Sequence, residues 1–407
     1  MRERDLAAMV EHPLAMGSVR SWLRLLWSHE GVDARYLPRV LFVTLTTLLT
    51  SPVRLYERMR YGSAVRGTRI QPAPVFIVGH WRTGTTYLHL LLCQDPQLGF
   101  VSTFQTLAPG FCLAGQGFIK KIVAHWLEKG HPTRLIDDVP LRIDAPQEEE
   151  FALANSTPQS FLHVFSFPRQ AADLFERTTL FQGIAPEALI EWSACYLEIL
   201  RKATLHAGGK RLILKNCADT GRIRVLLELF PDAKFIHMYR NPYDLFLSTR
   251  RLWEVVLSRS QLQEIDPAEV DGLILQFYTQ LMQQYLTEKA LIPAGNLVEV
   301  QFEELEADPL AEACRIYGAL GLPGLADAEP AFRAYLASVA NYRKNDYQLT
   351  ADVIDQVNRH WSFAFDAWEY QRLEPAAAPD MARSARWVPG AAGLSPAHKD
   401  RRGSGPA

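Results

Sequence analysis

Short β-branched runs alternate with longer stretches of helical periodicity along most of this chain, and that alternation predicts a parallel sheet with helices on its faces. Four runs are clear: "VFIV" at 75–78, "RLILK" at 211–215, "KFIHMY" at 234–239 and "NLVEVQF" at 296–302. The first leads through a glycine-bearing turn into the helical pattern "TTYLHLLLCQD". The second precedes a helical stretch through Leu229, and the third precedes a helix beginning near Pro242. Pro231 and Asp232 supply the turn between those two units.

From about residue 105 to 207 the period is helical with little strand signal, which predicts a long helical insert forming one side of a cleft. The stretch from about Pro375 to Ala407 is rich in Ala, Pro, Gly and Arg without any period, so it reads as a disordered tail. The expected division is an N-terminal helical region over 1–70, a main domain over 71–373 and the tail over 374–407. No internal repeat is evident.

One N-terminal segment breaks the alternation. "LPRVLFVTLTTLLTSPVRLYERMRYG", residues 37–62, holds an apolar, threonine-rich run of about a dozen residues, short of the ~20 needed to span a bilayer. Arg39, Arg54, Arg58 and Arg60 flank it. That composition suits an amphipathic helix on an anionic membrane surface, and equally a helix packed on the domain.

Composition narrows the class. A chain of 407 residues that is 48% hydrophobic can bury a large core. Its formal net charge of -2 gives no bulk attraction to nucleic acid, so anion binding must come from local basic positions. The cysteines, Cys93, Cys112, Cys195, Cys217 and Cys314, are widely spaced and form no metal-ligand cluster, which fits a reducing compartment. The N-terminus has no continuous apolar stretch before a cleavage site, so the reading is cytoplasmic, with no metal.

The candidate chemistry begins at "FIVGHWRTGTTYLHLLL", residues 76–92. A glycine-rich turn between a strand and a helix aims backbone N–H groups and the positive end of the helix at an anion. In nucleotide-hydrolysing loops a lysine follows the second glycine; here that place is Thr85 and the loop's cation is Arg82. Arg82, Thr83, Gly84, Thr85 and Thr86 therefore suit an oxyanion held by hydrogen bonds rather than magnesium-assisted triphosphate chemistry. A second basic element, "HMYRNPYDLFLSTRRLW", puts Arg240 just past the third strand and Ser248 about two turns along the following helix. Strand ends of an open parallel sheet converge on a crevice, so Arg240 and the glycine loop can address two phosphates of one ligand. Arg343 and Lys344 in "NYRKNDYQL" form a third basic pair that could close over it.

These segments together resemble sulfotransferases that use 3′-phosphoadenosine 5′-phosphosulfate (PAPS). "GHWRTGTTYLHLLL" is similar to their 5′-phosphosulfate loop, in the branch with R-[ST]-G-T-T. "FPDAKFIHMYRNPYDLFLST" is similar to their 3′-phosphate segment, and "LILKNCADTGRIRVLLELFPDAKF" resembles the K-[SN]-P-x-x-x-x-R-I stretch before it. "DAPQEEEFALA" resembles a segment of a mainly bacterial branch. The resemblance spans roughly residues 71–370 and implies an α/β P-loop-type fold, with PAPS as co-substrate. The loop Arg82–Thr86 would hold the 5′-phosphosulfate, while Arg240 and Ser248, helped by Arg343 and Lys344, would hold the 3′-phosphate. Two departures stand out. Cys217 occupies the proline place of the K-[SN]-P stretch, which puts the local turn in doubt. The glutamate of tyrosyl-protein sulfotransferases after the loop is absent from "LGFVSTFQTLAPG".

A hydroxyl attacking sulfur must lose its proton, and the expected bases are Glu148 or Glu150, with His80 in reserve. Pro146 predicts a helix start that places Glu148, Glu149 and Glu150 in its first turn, where three glutamates can equally be a solvated cap. Lys215 is expected to stabilise charge near the transferred group; its plainer role is a helix-capping or ion-paired lysine. His89 and His237 read as packing residues, and Phe161, Phe165, Phe167, Trp361, Phe363 and Trp368 as core. The acceptor is expected to be a hydroxylated, lipid-like molecule, with carbohydrate equally permitted. Two other classes remain open: a kinase-like phosphotransferase with an altered loop, and a non-catalytic membrane-associated nucleotide-binding protein.

Overall fold

The computed structural model describes residues 12–130, 142–339 and 348–375, so Arg343, Lys344 and nearly all of the expected tail lie outside the described residues. Five parallel strands form one sheet: β1 (Val75–Gly79), β2 (Leu98–Gly99), β3 (Arg211–Lys215), β4 (Lys234–Tyr239) and β5 (Leu297–Gln301), in the order β2-β3-β1-β4-β5. The four expected runs are all present. β2 is only two residues long, too short to carry a periodic signal.

The strands are apolar because both faces of the sheet are covered. Val75, Ile77, Ile213 and Ile236 pack on one side with Leu88, Leu91 and Leu92 of the helix Thr85–Leu92. Phe76, Val78, Leu212 and Leu214 pack on the other with Trp192 and Tyr196 of the helix Pro186–His206. Alternate residues of one strand thus feed opposite layers, and each such Val, Ile or Leu contributes on the order of 2 kcal/mol by leaving water. Helices Ile223–Leu229 and Pro242–Ser260 follow β3 and β4 as expected.

β1 lies at the centre, and the chain leaves it toward β2 and β3 but later leaves β4 toward β5. Connections therefore diverge between the carboxyl ends of β1 and β4, which opens a crevice there. Gly79 and Arg240 stand at its two sides, joined across by the register Gly79↔Met238.

The insert is mainly helical in its described part, and it delivers the glutamate cluster to the sheet end. Ser102 bridges Pro146, and the Gln147 N–H donates to the Val101 carbonyl at 2.9 Å. These bonds hold 146–148 extended, so the helix runs over Glu150–Ser156 with Glu149 as its cap rather than starting near Pro146. Glu148 precedes the helix. All three glutamates are buried, which removes the solvated-cap reading.

The N-terminal segment forms two helices, Leu37–Leu49 and Ser51–Gly67, joined through Thr50 in helical conformation. By length and composition alone, Ala34–Gly67 contains a stretch apolar enough to cross a membrane, longer than the run visible in the sequence suggested. One face of it is packed: Val43 and Thr47 are buried, and Arg39 donates to the carbonyls of Ser258 and Gln261, both at 2.8 Å.

Candidate active site

The turn after β1 is built for close backbone approach. Gly79 has φ +136°, and a Cβ there would meet the Met238 carbonyl oxygen at 2.3 Å. Gly84 has φ +89°, and its Cβ would strike the Phe302 ring at 2.3 Å. Glycine is required at both places. Thr220, from the turn after β3, clamps the strand end: its hydroxyl accepts from Gly79 N–H at 2.7 Å and donates to Gly79 O at 3.2 Å. Thr83 is buried and its hydroxyl donates to the His80 carbonyl at 2.7 Å, so it braces the turn from inside. The turn ends at Thr85, where the helix begins at the carboxyl end of β1 and its first N–H groups have no partners within the helix.

Arg82 adopts φ +74°, an uncommon conformation for a side-chain-bearing residue that costs about 1–2 kcal/mol. Its guanidinium offsets part of that cost by donating from Nε to Ser248 Oγ at 3.0 Å. Arg240 Nη1 in turn donates to the Arg82 carbonyl at 3.1 Å, and its guanidinium lies 4.4 Å over the Phe302 ring. Arg240 Nε is buried and finds no hydrogen-bond partner among the described residues. The loop and the segment after β4, far apart in sequence, thus present two guanidinium groups and a hydroxyl at one place.

On the other side of β1, Glu148 meets the end of β3. Lys215 Nζ donates to Glu148 Oε2 at 3.0 Å, and the Cys217 N–H donates to Glu148 Oε1 at 3.2 Å. Cys217 Sγ also lies 3.6 Å from Thr85 Oγ1, so this carboxylate stands within two contacts of the helix N-terminus that ends the loop. The turn that lacks a proline at Cys217 is held instead by Asn216, whose side chain accepts from Ala218 N–H at 3.0 Å.

Glu150 occupies a different environment. Its carboxylate takes Arg222 Nη1 at 2.7 Å and Nη2 at 3.2 Å, Asn216 Nδ2 at 2.7 Å, Ser160 Oγ at 2.8 Å and the Phe161 N–H at 2.7 Å. Burial alone would raise its pKa, but the Arg222 guanidinium and these donors together hold it below the usual carboxylate range. Every lone pair is engaged inside the protein, an environment that suits a structural anion better than the expected base. The ring of Phe161 stacks on Trp81 at 4.1 Å, tying this cluster to the loop.

Glu149 and Asp219 share the Tyr196 hydroxyl, at 3.2 and 2.9 Å. One phenolic proton serves two acceptors, so a carboxyl proton must complete the set. Burial drives both acids upward, Asp219 to about 6 and Glu149 well above its usual range.

His80 is buried, its Nδ1 is 2.8 Å from the Trp81 carbonyl and its ring meets those of Trp81 and Tyr278 edge-on. Burial lowers its pKa to about 4. It therefore stays neutral and holds an abstracted proton poorly. His89 bonds the Ile213 carbonyl, and His237 stacks between Tyr285 and Trp368; both pack as expected. Phe161, Phe165, Phe167 and Trp361 lie in the core, with Phe363 and Trp368 packed against it.

The carboxyl ends of β3, β1 and β4, neighbours in the sheet, thus carry in turn a carboxylate beside a lysine, a glycine turn and a paired arginine site. A model of the sulfotransferase family matches residues 74–327, a span that covers all of these elements. This chain belongs to the sulfotransferase family. It is an enzyme that transfers a sulfuryl group. The chain is 32% identical over 378 residues to omega-hydroxy-beta-dihydromenaquinone-9 sulfotransferase Stf3 of Mycobacterium bovis, covering 92% of this chain and 94% of that protein. The same figures hold for Stf3 of Mycobacterium tuberculosis. Among solved structures, sulfotransferase STF1 of Mycobacterium tuberculosis H37Rv superposes with TM-score 0.64 at 18% identity, over 84% of this chain and 90% of that one. STF9 of Mycobacterium avium gives TM-score 0.63 at 19% identity, over 88% of this chain and 98% of that one. These two likenesses show the sulfotransferase fold.

Several residues of this sulfotransferase site escaped the sequence reading. Arg222 stands in the arginine place of the quoted K-[SN]-P-x-x-x-x-R-I stretch but was given no role, and it is the counter-ion of Glu150 and Asp219. Thr220 and Tyr196 left no local signal at all. No group of three metal-ligating side chains occurs among the described residues.

The buried histidines predict an acid instability. Burial lowers His12, His80 and His163 from 6.5 to about 4 each. Their depressed folded pKa values contribute stability that is present above pH 6.5 and is lost as pH falls toward 4. Asp219, raised from 3.8 to about 6, acts in the opposite sense, contributing stability that is lost as pH rises through 6. Glu149 and Glu288, also raised by burial, act with Asp219, whereas His29, His206 and His237 are lowered like the other three histidines, so six groups against three should make the thermal midpoint fall between pH 7 and pH 4.5. A midpoint that climbs over that range would contradict the assignment.

Proposed function

We propose that the sulfuryl donor is PAPS, bound across the crevice between β1 and β4, and that the acceptor is a hydroxyl of a lipid-like molecule. The observation that carries the donor reading is the junction of Arg82, Ser248 and Arg240, with a buried Arg240 Nε still to be satisfied. The residues present fit the co-substrate: glycines that admit it closely, a helix N-terminus for the 5′-phosphosulfate, and a guanidinium–hydroxyl pair for the 3′-phosphate. When bound, PAPS supplies the sulfuryl group and departs as 3′-phosphoadenosine 5′-phosphate.

The protein's own groups then divide the work. Arg82, Thr85, Thr86 and the backbone of Gly84 bind and neutralise the negative oxygens where charge builds on the leaving phosphate. Arg240 and Ser248 select the 3′-phosphate. Lys215 adds positive charge beside the site of transfer, and Glu148, held by Lys215 and the Cys217 N–H, takes the acceptor's proton. The oxygen–sulfur bond to the acceptor forms as the sulfur–oxygen bond to the phosphate breaks, and the proton ends on Glu148.

The lipid-like acceptor is supported by the name of Stf3, which describes action on a hydroxylated menaquinone, and by the apolar outer face of the segment 37–62. The same face supports a cytoplasmic enzyme in contact with the inner membrane surface.

Thermal protection tests the donor reading. 3′-Phosphoadenosine 5′-phosphate should raise the unfolding midpoint by several degrees at a hundred times its Kd, because ligand bound to the native state adds about 2.7 kcal/mol. Adenosine 5′-phosphate should protect poorly. Equal protection by both would overturn the 3′-phosphate assignment. An acceptor screen with labelled donor then separates lipid from sugar hydroxyls: turnover confined to soluble sugars would refute the lipid reading.

A further inference from the structure

We infer that the N-terminal helices and the helix Phe118–Gly130 form one platform that docks flat on an anionic lipid surface. This deepens the lipid-acceptor reading and rests on it only for its purpose, not for its geometry.

The helical run 37–67 has two faces. Along one, Leu41, Leu45, Leu48, Leu55 and Met59 are exposed, 50% to 78% each, at spacings of three, four and seven that keep a single stripe turned outward. The opposite face is fastened to the protein by polar bonds along its length. Arg39 bonds two carbonyls near one end, and Arg54 Nη1 donates to the Met16 carbonyl at 2.9 Å. Near the other end buried Glu57 accepts from the Leu113 and Ala114 N–H groups and pairs with Lys202 at 2.9 Å. A helix that crossed the bilayer would have to release all of these groups into hydrocarbon, whereas one that lies flat keeps every bond and buries only the leucine stripe.

The stripe does not stand alone. The helix Phe118–Gly130 packs Ile119, Val123 and Leu127 into the cluster that also holds Val53, and turns Phe118, Ile122 and Trp126 outward at four-residue steps. Trp22 of the helix Val19–Ser28 donates to Thr44 Oγ1 at 2.9 Å, which ties that helix to Leu37–Leu49, and Trp27 of the same helix is 85% exposed. Exposed aromatic residues on the helices packed against an aliphatic stripe match the interface between headgroups and acyl chains.

Charge selects the occupant. Within 37–67 the exposed charged side chains are Arg58, Arg60 and Arg66, and the segment's one acid, Glu57, is buried. Lys121 adds an exposed cation on the neighbouring helix. An apolar stripe edged by cations with no exposed carboxylate in the segment fits a surface of anionic lipid, each basic residue there adding about 1 kcal/mol, or roughly fivefold, to binding.

The test is vesicle flotation with the full chain, without donor, on phosphatidylglycerol–phosphatidylcholine (1:1) and on pure phosphatidylcholine vesicles. The parent should float with the anionic vesicles, weakly with the neutral ones, and be released by alkaline carbonate. Leu41→Asp/Leu48→Asp should remain at the bottom, and Arg58→Ala/Arg60→Ala, which removes about 2 kcal/mol, should reduce partitioning roughly twenty-fivefold. Protection of each variant by 3′-phosphoadenosine 5′-phosphate, read separately, reports that the donor site is intact, so a failed donor reading and a failed platform are told apart. Three results would overturn the platform. These are no binding of the parent to anionic vesicles, resistance to carbonate as expected of a spanning helix, or a parent dimer that the Leu41→Asp/Leu48→Asp pair converts to monomer.

Discussion

Replacing Glu148 with Gln should lower kcat by about a hundredfold or more while protection by 3′-phosphoadenosine 5′-phosphate stays close to that of the parent. The substitution keeps shape and one acceptor oxygen but removes the carboxylate proposed as the base. Lys215 Nζ and the Cys217 N–H both donate to this carboxylate, so the amide can satisfy only one of them with its oxygen. A modest stability loss of about 1–3 kcal/mol therefore accompanies the loss of rate. The outcome separates a catalytic from a purely structural carboxylate, because a structural role would lower the melting midpoint and leave kcat per folded molecule unchanged. If Glu148→Gln keeps full turnover and His80→Ala does not, the proton goes to the histidine instead.

Arg222→Ala should destabilise the fold by about 3–5 kcal/mol, the usual cost of leaving buried carboxylates without their counter-ion. Arg222 is fully buried and bonds both Glu150 and Asp219, and its removal strands two acids beside a third, Glu149. The thermal midpoint should drop at neutral pH and recover in part at pH 5. The recovery follows from the sign of the shifts: without the guanidinium, both acids gain a raised folded pKa, and stability held by a raised pKa is present at low pH and lost as pH rises. Arg222→Met, which fills the volume without the charge, should recover little of the loss at pH 7.5. A neutral-pH midpoint within a degree of the parent for Arg222→Ala would refute the network.

The two predictions turn on Glu148 and on Arg222, the partner of Glu150, two glutamates two positions apart with different surroundings, and that contrast shows where sequence reading stops. The run Glu148–Glu150 is visible in the sequence, and so is its relation to a sulfotransferase segment. A helical period would have turned these residues to different sides of one helix. The bonds from Ser102 and Val101 instead keep the backbone extended through Glu148, sending its carboxylate to Lys215 and that of Glu150 to Arg222. No local propensity specifies that outcome, because these partners lie 44 to 72 positions away.

What the sequence by itself determined is what short-range chemistry decides: four of the five strands, the glycine turn and the helix after it. Continuous β-branched runs mark strands buried on both faces, and a turn that admits no Cβ must be glycine, so these features are written locally. The resemblance added the family and the order of its anion-binding elements. Only the tertiary structure decided which side chains meet: Arg82 with Ser248, Glu148 with Lys215, Tyr196 between two acids. It likewise decided which face of the segment 37–67 is turned outward, since Arg39 and Glu57 find their partners on distant elements. Burial and pairing depend on what the rest of the chain brings to a position, and charge buried away from water keeps its state only through those long-range partners.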